Sequence, residues 1–304
     1  MNTLLLIDGN NLLHRAYHAL PPLTDKTGEN ANAVYGVSNM ILKAIDEVEP
    51  TYIACAFDTK APTFRHVEFE AYKAQRKAPP PDLYPQLPKV KRVLEAFGIL
   101  YFEKEGYEAD DILATIANKL KIQNSKLKII ILSGDRDLLQ LVDGNIKVQA
   151  PGWNLKETTL YGAAEVKEKY GLTPEQMIDY KSLVGDPSDN VPGIGGVGPK
   201  TAASLLQKYQ TLENLFVHLD EVPSVVSLKL KMGKETALAA KKLVQLDCNV
   251  GIEVNMEDLK FNPDWAKVRE EYERLGFKSI VNKLPGAKVS KEGKVKDIDQ
   301  LELI

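Results

Sequence analysis

The chain has 304 residues with 39 Lys and Arg against 42 Asp and Glu, a formal net charge of −3, so its overall balance does not mark a nucleic-acid binder and any such role must rest on local charge. At 44% hydrophobic and 27% charged residues it has an ordinary soluble composition, long enough for one large or two modest domains. Cys55 and Cys248 form no CxxC, which speaks against a zinc knuckle or disulfide framework, and no apolar run has membrane-spanning length or the make-up of a secretory leader, so a cytoplasmic location is expected.

In chain order, three β-rich apolar runs each stop at an aspartate: TLLLIDGNN at Asp8, YIACAFDT at Asp58, and LKIIILSGDRD at Asp135 and Asp137. Continuous rather than alternating apolar residues suit strands buried on both faces, as in a parallel sheet. Shorter strands are expected at 99–102 and 146–149. Between the strands lie helical patterns: VYGVSNMILKAIDEV, KVKRVLEAFG closed by Gly98, and GYEADDILATIANKL with Ile112, Leu113, Ile116, Ala117 and Leu120 on one face. Strand and helix alternate, so the first half is an open α/β sheet.

In such sheets the carboxyl ends of the strands converge on one crevice. Asp8, Asp58, Asp135 and Asp137 gather there, and Glu108, Asp110 and Asp111 join them at a helix start, where acids also act as caps. So many carboxylates repel one another unless cations lie between them, and an all-oxygen set without Cys or His favours Mg²⁺ or Mn²⁺. Two such ions can activate a water and stabilise the leaving oxygen of a phosphodiester. His14, His18, His66 and His218 are scattered and suggest no triad.

Residues 60–92 carry eight basic residues against three acidic ones, interleaved with Phe64, Phe69, Tyr72 and Tyr84, as where single-stranded nucleic acid threads and stacks; the KAPPPD stretch points to a mobile loop or arch. Downstream, TPEQMIDYKSLVGDPSDN begins as a helix capped by Thr173 and delivers Asp186 and Asp189 into a loop. VPGIGGVGPKTAASLLQKY then matches a dinucleotide fingerprint only formally, since no strand precedes it. Pro199 also separates Gly198 from Lys200 and so rules out a P-loop. What remains is a Gly-rich turn that presents backbone N–H groups at a helix start, with Lys200 and Lys208 and no acid over 191–212, suited to a phosphodiester.

The ordered motifs LIDGNNLLHRAYHAL, FDTKAPTFRH, YKAQRK, GYEADDILA, SGDRDLLQL and LVGDPSDNVPGIGGVGPKTA, spread over about residues 1 to 285, resemble the 5′ nuclease (flap endonuclease) domain of bacterial DNA polymerase I. The resemblance implies a PIN-like α/β core over 1–172 with a mostly parallel sheet and an arch around 60–92. It further implies a helical domain over 173–285 with a helix-hairpin-helix-type DNA-binding element at 193–207. Residues 286–304 read as a linker or tail, and no polymerase activity is assigned.

Two metal clusters are implied, with Asp8, Asp58, Glu108 and Asp110 near one ion and Asp111, Asp135, Asp137, Asp186 and Asp189 around the other. Lys73 and Arg76 would contact the scissile phosphate, Tyr72 would stack on the terminal nucleotide, and Lys77, Gly193, Gly195, Gly198 and Lys200 would hold DNA, with K⁺ at the Gly-rich turn. The expected activity is a Mg²⁺-dependent (Mn²⁺ substituting) 5′-3′ exonuclease and 5′ flap endonuclease of primer removal and repair. Its substrate would be DNA with flaps, nicks or free 5′ ends, or an RNA primer in a hybrid, and the chain a monomer with no membrane partner. The alternative is a non-catalytic DNA-structure-binding module, which would not need so many repelling carboxylates. A haloacid dehalogenase-type phosphatase would want a second Asp where Asn10 stands, and a PIN-class RNase would not need a duplex-gripping turn.

Overall fold

The computed structural model describes residues 2–152, 155 and 157–286. The tail reading therefore lies, Gly286 apart, outside the described residues. The chain opens with β1 (Thr3–Asp8), α1 (Gly9–Ala19), α2 (Asn32–Val48), β2 (Tyr52–Ala56), α3 (Phe64–Glu68), α4 (Leu87–Phe97), β3 (Leu100–Phe102), α5 (Ala109–Gln123), β4 (Lys128–Leu132), β5 (Ile146–Pro151) and β6 (Thr158–Tyr161). There follow α6 (Ala163–Tyr170), α7 (Met177–Val184), α8 (Pro199–Tyr209), α9 (Leu212–Val217), α10 (Ser224–Val244), α11 (Trp265–Leu275) and α12 (Lys278–Val281). No helix among the described residues is long and apolar enough to cross a membrane.

The six strands form one sheet in the order β3-β2-β1-β4-β5-β6, parallel except for β6, which pairs antiparallel with β5. Strand order turns back between β1 and β4, and that reversal opens a crevice at their carboxyl ends. Alternate residues of β1 feed two cores, as the two-residue period of a strand requires. Leu5 and Ile7 pack with α1, α2 and α4, whereas Leu4 and Leu6 pack with α5. Burial on both faces explains why β1, β2 and β4 read as unbroken apolar runs.

A third core, with Leu183, Ile194, Leu206, Leu215 and Leu230, belongs to α7 through α10. The expected boundary of a helical domain at 285 differs from the packing. Leu246, Val250 and Leu259 join the α5 side of the sheet, and Val268, Tyr272 and Leu275 of α11 join the α2/α4 side. The segment after α10 thus returns to the α/β unit, because α11 offers an apolar stripe at the three- and four-residue spacing that α2 and α4 leave uncovered.

Residues 60–92 are less of a free arch than their composition suggested. Arg65 and Lys89 are buried, at 1% and 7% exposure, and both are paired: Arg65 with Asp111, Lys89 with Asp25 and Glu29. Lys91 pairs with Glu103. Part of the basic excess is thus internal, while residues 74–79 stand exposed.

Candidate active site

Asp8 ends β1 and caps α1: its Oδ1 accepts from the Asn11 amide at 3.0 Å and its Oδ2 from Ser133 Oγ at 2.6 Å. Ser133 follows β4, and its hydroxyl accepts from the Asp135 amide at 3.0 Å; Asp135 Oδ1 accepts from the Asp137 amide at 2.9 Å. The ends of β1 and β4 are therefore one hydrogen-bonded chain. Beyond β2, the Asp58 amide donates to Asn10 Oδ1 at 3.1 Å, while its carboxylate Oδ1 accepts from the Ala109 amide at 2.7 Å. That amide is the first of α5, an orphan donor at the positive end of the helix. Glu108 is the N-cap of α5 and forms a reciprocal capping box with Asp111.

The electrostatics show that these groups share one field. Burial, followed by the Asp58 and Asp135 charges, pushes the Asp8 carboxyl up to about 7 despite the Ser133 and Asn11 hydrogen bonds. Burial also raises Asp58, Asp110 and Asp135; at Asp110 the charges of Asp135, Asp8, Glu108 and Asp58 add to it. Among the described residues, no three His, Cys, Asp or Glu side chains converge tightly enough to form a finished metal cage.

A second row of charge comes from the helical unit. Asp186 and Asp189 sit in the loop after α7, where Asp186 Oδ2 accepts from Lys181 at 2.7 Å and Oδ1 accepts from the Ser188 amide at 2.9 Å. Burial works against ionisation there, yet Lys181 and Ser188 hold Asp186 down at about 2. Lys181 also pairs with Asp137, joining the two units through one ammonium. Sequence reasoning passed over Lys181; the signal available was a lysine one helical turn before a loop that carries two acids.

From the arch, Lys73 Nζ lies 2.5 Å from Glu108 Oε1 and 3.7 Å from Asp189 Oδ2, and Arg76 lies 2.5 Å from Asp189 Oδ1. The Lys73 amide donates to the Asp189 carbonyl at 2.9 Å, and Asn190 Nδ2 donates to the Ala71 carbonyl at 2.6 Å. Lys73 has φ +56°, a left-handed conformation that a side chain adopts only when its surroundings impose it. The crevice brings Asp8, Asp58, Glu108, Asp110, Asp135, Asp137, Asp186 and Asp189 together with Lys73, Arg76 and Lys181. Lys77 and Lys200 are exposed outside it.

Three expected assignments change. Asp111 is fully buried: its Oδ2 and Oδ1 accept from Arg65 at 2.7 and 2.8 Å, and Oδ1 also accepts from the Asp247 amide at 2.9 Å. Both oxygens serve a structural ion pair, which removes Asp111 from the metal set. Tyr72 is only 3% exposed, its hydroxyl donating to Asp189 at 3.1 Å and Glu108 at 3.2 Å, so its ring is not presented for stacking. Gly193 is a packing glycine: a Cβ there would meet the Val184 carbonyl group at 2.3 Å, whereas Gly195 and Gly198 face open space and leave their backbone approachable.

The raised carboxyls have a consequence for stability. A native Asp8 at about 7 binds a proton that the unfolded chain, near 4, has already lost, so its contribution is present below about pH 4 and disappears as pH rises through 7. With divalent cations chelated, the melting temperature should fall between pH 5 and pH 8, measured by calorimetry; a flat or rising profile would contradict the crowding described here.

Comparison with known proteins agrees with this architecture. The family model of the 5'-3' exonuclease N-terminal resolvase-like domain matches residues 3–171, and that of the 5'-3' exonuclease C-terminal SAM fold matches residues 172–267. The chain belongs to the 5'-3' exonuclease family and is a phosphodiester-hydrolysing nuclease. It is 41% identical, over 99% of its length and 36% of the relative's, to DNA polymerase I of Caldicellulosiruptor bescii. Over 97% of its length and 34% of the relative's it is 38% identical to DNA polymerase I of Bacillus subtilis. The chain thus spans about a third of the curated relatives it matches. Among solved structures, the T5 D15 protein co-crystallised with metal ions superposes with a TM-score of 0.68 at 18% identity, covering 90% of this chain and all of that one. The catalytic core of Rad2 in complex with a DNA substrate superposes at 0.59 and 15% identity, covering 90% of this chain and 88% of that one.

Proposed function

We propose that the chain is a divalent-cation-dependent 5′-3′ exonuclease and structure-specific 5′ flap endonuclease acting on DNA in primer removal and repair. The observation that carries this reading is the carboxylate crevice itself, supplied by three strand ends, the α5 start and the loop after α7. Its donor set fits hard cations: every candidate ligand is a carboxylate, and burial with mutual repulsion already holds Asp8, Asp58, Asp110 and Asp135 above their ordinary range. Asp8, Asp58, Glu108 and Asp110 would hold one Mg²⁺, with Asp135, Asp137, Asp186 and Asp189 around a second; Mn²⁺ would substitute. When bound, the cations supply an activated water and neutralise charge on the phosphodiester.

The chain's own residues do the rest. The Ser133 hydroxyl fixes Asp8 against Asp135, and the Ala109 amide fixes Asp58, so the acidic face is set before substrate arrives. Lys73 and Arg76 stand at the arch side of that face, where their charge would compensate the phosphate in the transition state, a role worth about 2 to 4 kcal/mol by analogy with oxyanion donors. Lys77 and Lys200, with the open backbone of Gly195 and Gly198, would hold DNA around the site, and K⁺ would sit at that turn. DNA with flaps, nicks or free 5′ ends is the substrate class, RNA primers in hybrids included, acted on by a monomer in the bacterial cytosol.

The reading is tested by cleavage of labelled 5′-flap DNA beside its blunt duplex, with Mg²⁺, with Mn²⁺ and with EDTA. Cutting at the flap junction in either metal and none in EDTA is the expected result. Tight flap binding without cutting under any metal would mean a binding module.

A further inference from the structure

The segment from Leu243 to Val250, which leads out of α10 back to the α/β unit, is held through its backbone by side chains from every α/β element that carries crevice carboxylates other than the strand ends of β1 and β2. Arg65, at the base of the arch, donates to the Leu243 carbonyl at 2.7 Å and the Gln245 carbonyl at 3.0 Å while gripping Asp111. Gln140, three residues past Asp137, donates to the Val244 carbonyl at 2.9 Å and to the Asp137 carbonyl at 2.9 Å, and accepts from the Leu246 amide at 3.0 Å. In α5, Asp111 accepts from the Asp247 amide at 2.9 Å, and the Thr115 hydroxyl donates to the Asp247 carbonyl at 3.2 Å and accepts from the Val250 amide at 3.0 Å. Leu243, Val244, Leu246 and Val250 are all buried. Buried at these positions and outside any strand, the segment satisfies its main-chain groups through side chains, and those side chains come from the turn that holds Asp137 and from the helix that begins at Glu108.

We infer that this strap positions the two carboxylate sets relative to each other, with Arg65 and Gln140 as positioning residues that act through Glu108 on one side and through the turn of Asp137 on the other. The inference rests on the cation-dependent reading proposed above. Arg65 reaches the first set twice, through the Asp111 carboxylate that caps Glu108 and by its own 3.7 Å approach to Glu108 Oε2. Gln140 fixes the turn in which Asp137 sits. The strap continues directly from α10, so the helical unit is tied by main-chain bonds to the elements that carry both sets. Outer hydrogen bonds of this kind change metal affinity because they decide where the ligands point.

The test uses the full chain with Gln140→Met, which keeps side-chain length and loses the three bonds, and Arg65→Lys, which keeps the charge and loses the fork. Mg²⁺ is titrated calorimetrically into each protein without DNA, beside thermal melting and the Mg²⁺ midpoint of flap cleavage. Each variant should bind Mg²⁺ about ten- to a hundredfold more weakly. Leu259→Ala, a core truncation beside the Tyr52–Lys260 bridge at the end of β2 opposite Asp58, should lower melting and leave the Mg²⁺ midpoint where it was. Lowered melting in Gln140→Met and Arg65→Lys with an unmoved Mg²⁺ midpoint would overturn the inference, leaving the strap as packing. No Mg²⁺ binding by the unaltered chain would overturn the functional reading and this inference with it.

Discussion

Asp135→Asn is expected to lower the maximal rate of flap cleavage by about 10³-fold, because removing a ligand charge forfeits several kcal/mol of stabilisation at the phosphate. The same substitution should raise the melting temperature in EDTA. Asp135 is a half-buried carboxyl held above its usual range by desolvation and by the nearby Asp189 and Asp186, with Lys181 and Lys73 opposing. Asparagine keeps an oxygen to accept from the Asp137 amide, now at 2.9 Å, and removes the repulsion. Activity and stability therefore move in opposite directions, as at sites whose function requires strained charge. Flap cleavage at saturating Mg²⁺ and melting in EDTA read the two effects. A rate within about tenfold of the parent would remove Asp135 from the catalytic set.

That crowding was legible in the sequence because strand ends are. An unbroken apolar run followed by Asp can be read without knowing any partner, since burial on both faces leaves polar residues only where the strand emerges. Glu108 could be read for the same reason, as a local capping pattern. What could not be read were relations between distant backbones. The long helix α10 is hidden by Gly233 and by lysines that break its periodicity, and β6, TTLY, is too short and too exposed to stand out. The strap's acceptors and donors are main-chain groups, which have no residue identity to betray them. The buried cations Arg65 and Lys89 looked like part of an exposed basic face because charge count does not distinguish a paired guanidinium from a solvated one.

Asp111 shows the cost of reading spacing alone, and its substitution is the second large effect. It shares a helical face with Glu108, which made it resemble a ligand; its actual partner, Arg65, lies 46 residues away. Asp111→Leu should lower stability by about 3 to 5 kcal/mol, because the Arg65 guanidinium, 1% exposed, would be left charged and without its carboxylate. In EDTA this is opposite in sign to Asp135→Asn, so one melting series separates a carboxylate that repels its neighbours from one that is matched by a cation. Adding Arg65→Met to Asp111→Leu should restore much of the loss, since an apolar pair of similar volume replaces a desolvated ion pair at little net cost. The bonds from Arg65 to Leu243 and Gln245 would still be missing, which sets a ceiling on the recovery. If Asp111→Leu melted in EDTA at or above the parent temperature, Asp111 would belong with the repelling set and the ion pair would carry no stability.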